Sequence, residues 1–190
     1  MQNRGKLIVI SGPSGVGKGT VCEQLLQQCK NLFLSVSTTT RAPRSVDIDG
    51  VTYHFKSRAE FQQMIEDGSF LEWAVYNGNY YGTPKAAVMA KLDAGENVLL
   101  EIDVQGALHV KENFPDGIYL FIAPPSKQIL EERLRGRGTE SEEEIEKRVA
   151  AAGWELEQQE KYDHVVVNGD LSDTVSEIEH ILKADGVCLT

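Results

Sequence analysis

Residues 7–18 read Leu7-Ile8-Val9-Ile10-Ser11-Gly12-Pro13-Ser14-Gly15-Val16-Gly17-Lys18. The first four are apolar and mostly β-branched, as expected of a buried parallel strand, and helical spacing begins at Lys18. Between them, glycines at 12, 15 and 17 permit positive φ and let backbone N–H groups close around a phosphate, with the dipole of the following helix adding positive potential. Lys18 is placed to reach the β/γ-phosphates of a nucleotide. The residue after it is Gly19, so the hydroxyl that commonly helps hold Mg²⁺ is displaced to Thr20. Because Mg²⁺ dehydrates reluctantly, phosphates and water are expected to hold it here, near Thr20, Glu101 and Asp103, with no direct protein ligand assigned.

Working outward, four further apolar runs predict strands at Phe33–Ser37, Val98–Asp103, Ile118–Ile122 and His164–Asn168, with helical segments between most of them. The expected fold class is α/β: a parallel five-stranded core sheet with helices on both faces and ligands at the carboxyl ends of the strands. Two insertions interrupt the alternation. In the first, Val51–Phe55 and Phe70–Val75 read as short antiparallel strands flanking a helix that opens on the capping box Ser57-Arg58-Ala59-Glu60 and stops at Gly68. Thr83 as N-cap and Pro84 in the first turn predict another helix, closing at Gly95. The second insertion is two helices broken at Gly136-Arg137-Gly138, the second opening on Ser141-Glu142-Glu143-Glu144, a pattern suited to a moving lid. The expected division is core at 1–37, first lobe at 38–94, core at 95–125, lid at 126–159 and core at 160–190.

Composition bounds the function. With 190 residues there is room for one substantial core, and a net charge of −10 argues against a general nucleic-acid or anionic-membrane surface. No run of 18 apolar residues exists to span a bilayer. Cys22, Cys29 and Cys188 have no metal-ligand spacing and no secretory leader before them, which leads to the expectation of a reduced, cytoplasmic compartment. Cys22, Leu25, Leu26 and Cys29 recur with helical period, so both thiols are expected in the core. His54, His109, His164 and His180 are too scattered for a ligand pair.

Other clusters carry chemistry beside the loop. Arg41 and Arg44, stiffened by Pro43, form a second anion site, because guanidinium groups give bidentate, permanently charged hydrogen bonds to phosphate. A triphosphate loop plus a second phosphate clamp implies transfer from phosphate to phosphate. Arg133, Arg135, Arg137 and Arg148 put cations on the presumed lid, where they can draw charge from a transferring phosphoryl group. Arg135 reads equally as a solvated helix charge paired with a neighbouring glutamate. Glu101 and Asp103 end a strand as alternate carboxylates facing one side, with Asp103 also able to cap the following helix.

Together the glycine loop, Ser37-Thr38-Thr39-Thr40-Arg41-Ala42-Pro43-Arg44, Gly78-Asn79-Tyr80-Tyr81-Gly82-Thr83, Glu101-Ile102-Asp103-Val104-Gln105-Gly106 and Arg133-Leu134-Arg135-Gly136-Arg137-Gly138-Thr139 resemble the guanylate kinases in order and spacing over nearly the whole chain. The resemblance implies a Mg²⁺-dependent ATP:GMP phosphotransferase with a nucleoside-monophosphate-kinase fold, its partners being the two nucleotides. It implies ATP at Gly12, Pro13, Ser14, Gly15, Val16, Gly17, Lys18, Gly19 and Thr20, with Asn168 near the ATP base. It implies the GMP phosphate at Ser37, Arg41, Arg44, Tyr53 and Tyr81, and guanine at Glu72 and Thr83 with Asp103 close by. Glu101 stands where the family often has Asp. Lys18, Arg41, Arg133, Arg137 and Arg148 are the implied catalytic cations. Guanine offers N1–H and the N2 amino group side by side, which a carboxylate such as Glu72 accepts together, whereas adenine does not. The alternatives are a related small-molecule kinase, which would alter the Glu72–Thr83 pair, and a non-catalytic phosphopeptide-binding module of the same fold, which would lose Lys18.

Overall fold

The apolar run at the head of the chain forms β1 (Leu7–Ser11), buried at every residue. The computed structural model describes residues 4–76, 78–136 and 142–187. After β1 come α1 (Lys18–Gln28), β2 (Leu32–Leu34), β3 (Thr38–Thr39), β4 (His54–Phe55), α2 (Arg58–Glu66), β5 (Phe70–Tyr76), β6 (Asn79–Pro84) and α3 (Lys85–Asp93). They are followed by β7 (Asn97–Glu101), α4 (Val104–Asn113), β8 (Ile118–Ala123), α5 (Lys127–Arg135), α6 (Glu142–Glu157), a 3-10 turn at Gln158–Lys161, β9 (His164–Val167) and α7 (Leu171–Ala184).

The core sheet is parallel throughout, in the order β2-β7-β1-β8-β9. Alternation along β1 feeds both faces of this sheet. Ile8 and Ile10 join α1 and α7 side chains such as Leu25 and Ile178, while Leu7 and Val9 join Leu92 of α3 and Val110 of α4. With β1 between β7 and β8, the chain leaving β1 emerges at the carboxyl edge of the sheet, where Gly12–Gly17 turns into α1. That is the crevice where open α/β sheets bind ligands.

The second sheet, β4-β3-β6-β5, stands beyond this edge. β5 and β6 form an antiparallel hairpin closed at Tyr76 and Asn79, with Gly78 at φ 72°. Of the expected Val51–Phe55 strand, His54 and Phe55 pair with β3, and they run parallel to it, not antiparallel, while Tyr53 makes an isolated bridge with Asp49. The loop from Arg41 to Tyr53 carries the chain back so that it re-enters in the original direction, pinned where Asp49 Oδ1 accepts from Phe55 N at 3.0 Å. α2 opens on the expected capping box of Ser57 and Glu60.

Other boundaries shift for identifiable reasons. The strand expected over Phe33–Ser37 ends at Leu34, and the Ser35 amide makes the last bond to the core sheet, donating to Leu99 O at 2.9 Å; the Ser37 carbonyl instead accepts from His54 N at 2.8 Å, so Ser37 belongs to the second sheet's hydrogen bonding. Thr83 does not cap α3. It lies in β6, and Pro84 takes the cap position with no side-chain bond. Cys22 and Cys29 are both buried, but Cys22 is a free thiol whereas Cys29 is disulfide-bonded. α5 ends with Gly136 as its C-cap, and Arg137 and Ser141, expected in the break and at the start of α6, lie outside the described residues.

Candidate active site

Gly12, Gly15 and Gly17 adopt φ of 149°, 85° and 100°, so the loop uses its glycines as expected. Space matters as much as φ. A Cβ on Gly12 would fall 2.3 Å from the Ile122 carbonyl oxygen, and one on Gly15 would fall 2.6 Å from Leu134 of α5. Gly17 is the N-cap of α1 and provides no capping side chain, which leaves the first-turn N–H groups to an anion. Lys18 bends over the loop and donates to Gly12 O at 2.6 Å and Pro13 O at 3.3 Å. Burial pushes its ammonium below the usual lysine range, opposed by the carboxylates of Glu101, Glu155 and Asp103.

The far side of the loop is braced. Val16 O accepts from Asn168 Nδ2 at 2.7 Å and from Arg133 Nη1 at 3.2 Å, and Arg133 Nη2 donates to Asn168 O at 3.1 Å. Asn168 Oδ1 accepts from Thr174. Both residues border a hollow with Gly17 and Thr20, beside the loop and away from the second sheet.

On the near side, a cavity of about 500 Å³ separates the loop from the second sheet, and Lys18, Arg41, Arg44, Tyr53, Tyr81 and Arg148 face each other across it. The Arg41 guanidinium lies 5.3 Å from the Tyr53 ring centroid and 2.9 Å from Asp47 Oδ2, which also accepts from Arg44 N at 2.6 Å. Those bonds, the Arg44 amide first, hold the Asp47 carboxyl below the usual carboxylate range. The Tyr53 and Tyr81 rings meet edge to face at 6.0 Å. Burial raises the Tyr53 phenol and the Glu101 carboxyl, the latter opposed by Lys18.

A smaller adjoining cavity, about 200 Å³, is lined by Ser37, Glu72, Tyr81 and Asp103. Glu72 and Thr83 are cross-strand partners, and Thr83 Oγ1 donates to Glu72 Oε1 at 2.6 Å with both side chains buried. Burial pushes Glu72 up to about 7, against the lowering effect of Thr83 and reinforced by Asp103. Asp103 is the N-cap of α4, accepting from Gly106 N at 2.8 Å, while still lining the cavity.

The structure thus gathers Lys18, Arg41, Arg44, Tyr53, Tyr81, Glu101 and Arg148 around one space and Ser37, Glu72 and Asp103 around the next. Arg133 and Asn168 stand behind the loop, and Arg137 lies outside the described residues. Arg135 points away, paired with Glu131 at 2.9 Å and with Glu142. Three residues, Asp47, Tyr76 and Glu155, were missed by motif reading, and Gly106, quoted in a motif, was given no role. Gly106 sits so close to Glu72 that a Cβ there would fall 2.5 Å from Oε2. Asp47 pairs with Arg41, Tyr76 OH lies 3.1 Å from Ser14 Oγ, and Glu155 of α6 accepts from Ser14 N at 3.4 Å. Asp47 had a sequence signal, being an acid close after two arginines; the other contacts depend on how the lobes face the loop.

Among the described residues no cluster of three or more potential protein ligands could enclose a metal ion. The donors that are present suit a hydrated Mg²⁺ shared with phosphates. Glu101 Oε1 would lie 3.6 Å from a Cβ on Gly19, and Thr20 lines the same cavity.

Comparison with known proteins agrees with this arrangement. The Guanylate kinase family profile matches residues 4–185. The chain is 53% identical over 184 residues to the guanylate kinase of Desulfitobacterium hafniense, covering 97% of this chain and 92% of that protein. It is 52% identical over 185 residues to that of Caldanaerobacter subterraneus, covering 97% and 90%. The fold superposes on the crystal structure of guanylate kinase from Anaplasma phagocytophilum with a TM-score of 0.80 at 34% identity, covering 97% of this chain and 87% of that one. A family match that runs from before β1 to the end of α7, through every motif around the two cavities, makes this chain a member of the guanylate kinase family.

Proposed function

We propose that the protein transfers the γ-phosphoryl group of ATP to GMP, with ATP on the glycine loop and GMP in the lobe formed by residues 38–94. The observation that carries this reading is the opposition of two anion-binding sets across one cavity, the loop with Lys18 on one wall and Arg41 with Arg44 on the other. The buried Glu72–Thr83 pair lies beside it, where a base attached to the second phosphate would reach.

The steps follow from charge and position. Loop N–H groups and Lys18 hold the donor phosphates, while Asn168 and Arg133 keep the loop in shape through Val16 O. Arg41, Arg44, Tyr53, Tyr81 and Ser37 hold the GMP phosphate. That phosphate is already ionised and is itself the nucleophile, so no strong general base is required and rate enhancement comes from alignment and electrostatic stabilisation. Arg148, on the lid proposed over residues 126–159, faces Ser14 from α6 and supplies positive charge beside the transferring group; Arg137 is assigned the same role. Glu101 and Thr20 would hold Mg²⁺ through its water, and the ion when bound would neutralise charge on the phosphates.

Glu72 reads guanine by accepting from N1–H and the N2 amino group, and a buried carboxylate left unpaired by adenine disfavours AMP. ATP and GMP as substrates support a cytoplasmic setting. The test is a coupled ADP-release assay with ATP, Mg²⁺ and a panel of nucleoside monophosphates. GMP should be turned over with a kcat/KM at least about 10³-fold above AMP. Equal use of AMP or a pyrimidine monophosphate would refute the substrate assignment.

A further inference from the structure

Ser14 is the meeting point of three separate parts of the molecule. Its hydroxyl accepts from Arg148 Nη2 of α6 at 2.6 Å and lies 3.1 Å from the hydroxyl of Tyr76, the last residue of β5. A guanidinium can only donate, so Arg148 takes one lone pair of Ser14 Oγ, and the serine proton or its second lone pair is left for Tyr76. One atom of the phosphate loop therefore bonds both to the lid helix and to the strand that carries the base-reading carboxylate.

The strand makes the connection specific. Side chains two apart on a strand share a face, and in β5 Glu72, Ala74 and Tyr76 are the inward set while Trp73 and Val75 are exposed. The register shift in the hairpin falls before Glu72, between Phe70 and Glu72, so alternation from Glu72 to Tyr76 is unbroken. Glu72 and Tyr76 thus ride on one rigid segment, about 13 Å apart at the usual rise per residue. The Tyr76 ring also meets the Tyr81 ring edge to face at 6.4 Å, and Tyr81 meets Tyr53. Tyr76 is tied to the base end of the acceptor site through β5, and to its phosphate end through Tyr81.

We infer that Tyr76 is a positioning residue that couples the two nucleotide sites: its hydroxyl, through Ser14 Oγ and Arg148, makes acceptor binding in the lobe favour the donor-ready arrangement of loop and lid, and the reverse. Coupling of this kind is reciprocal, so it is read from either ligand. It rests on GMP being the acceptor, and GMP binding to the wild-type protein alone tests that separately.

The experiment is calorimetric titration of GMP into the protein with and without saturating ADP and Mg²⁺, for wild type, Tyr76→Phe, Ser14→Ala and the double variant, each checked for an unchanged melting profile. Wild type should bind GMP about 5- to 10-fold more tightly when ADP is present. Tyr76→Phe keeps the ring contact with Tyr81 and should leave GMP affinity alone within about 2-fold while bringing the enhancement close to 1. A structural role confined to the lobe would instead weaken GMP binding equally with and without ADP. Adding Tyr76→Phe to Ser14→Ala should change the enhancement no further. An unaltered enhancement in Tyr76→Phe, an additive double variant, or no enhancement in wild type would each overturn the inference. If wild type binds no GMP, the acceptor assignment falls and the inference falls with it.

Discussion

Thr83 donates its hydroxyl to Glu72 across the β5–β6 hairpin at 2.6 Å, and both side chains are buried. The bond takes Thr83 from the helix-capping role that its position before Pro84 suggests, and it fixes one oxygen of Glu72. The other oxygen is hemmed in by Gly106 on the first turn of α4. Three elements therefore aim a single carboxylate.

That burial has a cost that pH exposes. Glu72 titrates near 7 in the folded protein against an ordinary value of 4.5, so the native state holds this proton more tightly than the unfolded chain. Its contribution to stability is therefore undiminished below about pH 4.5, is lost as pH rises from there to about 7, and stays lost above; the full effect approaches about 3 kcal/mol. Glu72→Gln keeps an acceptor for Thr83 and removes the titration. Melted without nucleotide, the variant should exceed wild type by several degrees at pH 8 and by almost nothing near pH 4.5. A melting difference independent of pH would show that Glu72 is not held in this state.

Gly106→Ala should injure the acceptor site while sparing the donor site. The added methyl would press on Glu72 Oε2 and displace the carboxylate, the more mobile partner. We expect the KM for GMP to rise about 10-fold or more with the KM for ATP unchanged, equivalent to about 1.4 kcal/mol of lost binding. Unchanged GMP kinetics would mean that the carboxylate can move without consequence.

Asp47 holds Arg41 and the Arg44 amide together. Asp47→Asn retains the shape but gives up the charged partner, freeing Arg41 to leave the cavity wall. Steady-state kinetics should show the KM for GMP rising about 5- to 20-fold, in line with loss of a charge-assisted hydrogen bond. A lower KM would reverse the picture, making Asp47 a competitor of the GMP phosphate for Arg41.

Lys18→Ala removes the cation that crosses the loop to Gly12 O and Pro13 O. It takes away charge and almost no core volume, so turnover should fall at least about 100-fold while the melting temperature stays within a few degrees. Retention of a tenth of wild-type turnover would separate this loop from the donor site.

Much of this was legible because the signals are local. A β-branched run, glycines at fixed offsets and a lysine suffice for β1, the loop and α1, and the Ser57–Glu60 capping box declares α2 within four residues. What was missed depends on partners distant in the chain. Thr83 looked like a helix cap because the cap pattern is short-range, whereas its bond to Glu72 follows from hairpin register. β4 runs parallel to β3 because a long loop carries the chain back to re-enter in the same direction, and no periodicity encodes that. Tyr76 and Glu155 belong to no motif; they reach Ser14 only when β5 and α6 face the loop.

The most direct measurement of the central claim, that a Glu72–Thr83 pair reads guanine, is kcat/KM for GMP and for AMP in wild type and Glu72→Gln. Replacing one acceptor oxygen by an NH₂ donor turns a double-acceptor edge into a mixed one. The value for GMP should fall by about 2–3 kcal/mol, roughly 30- to 150-fold, with far less change for AMP, so that discrimination collapses from the GMP side. A variant that still prefers GMP by the wild-type factor would contradict base reading by Glu72.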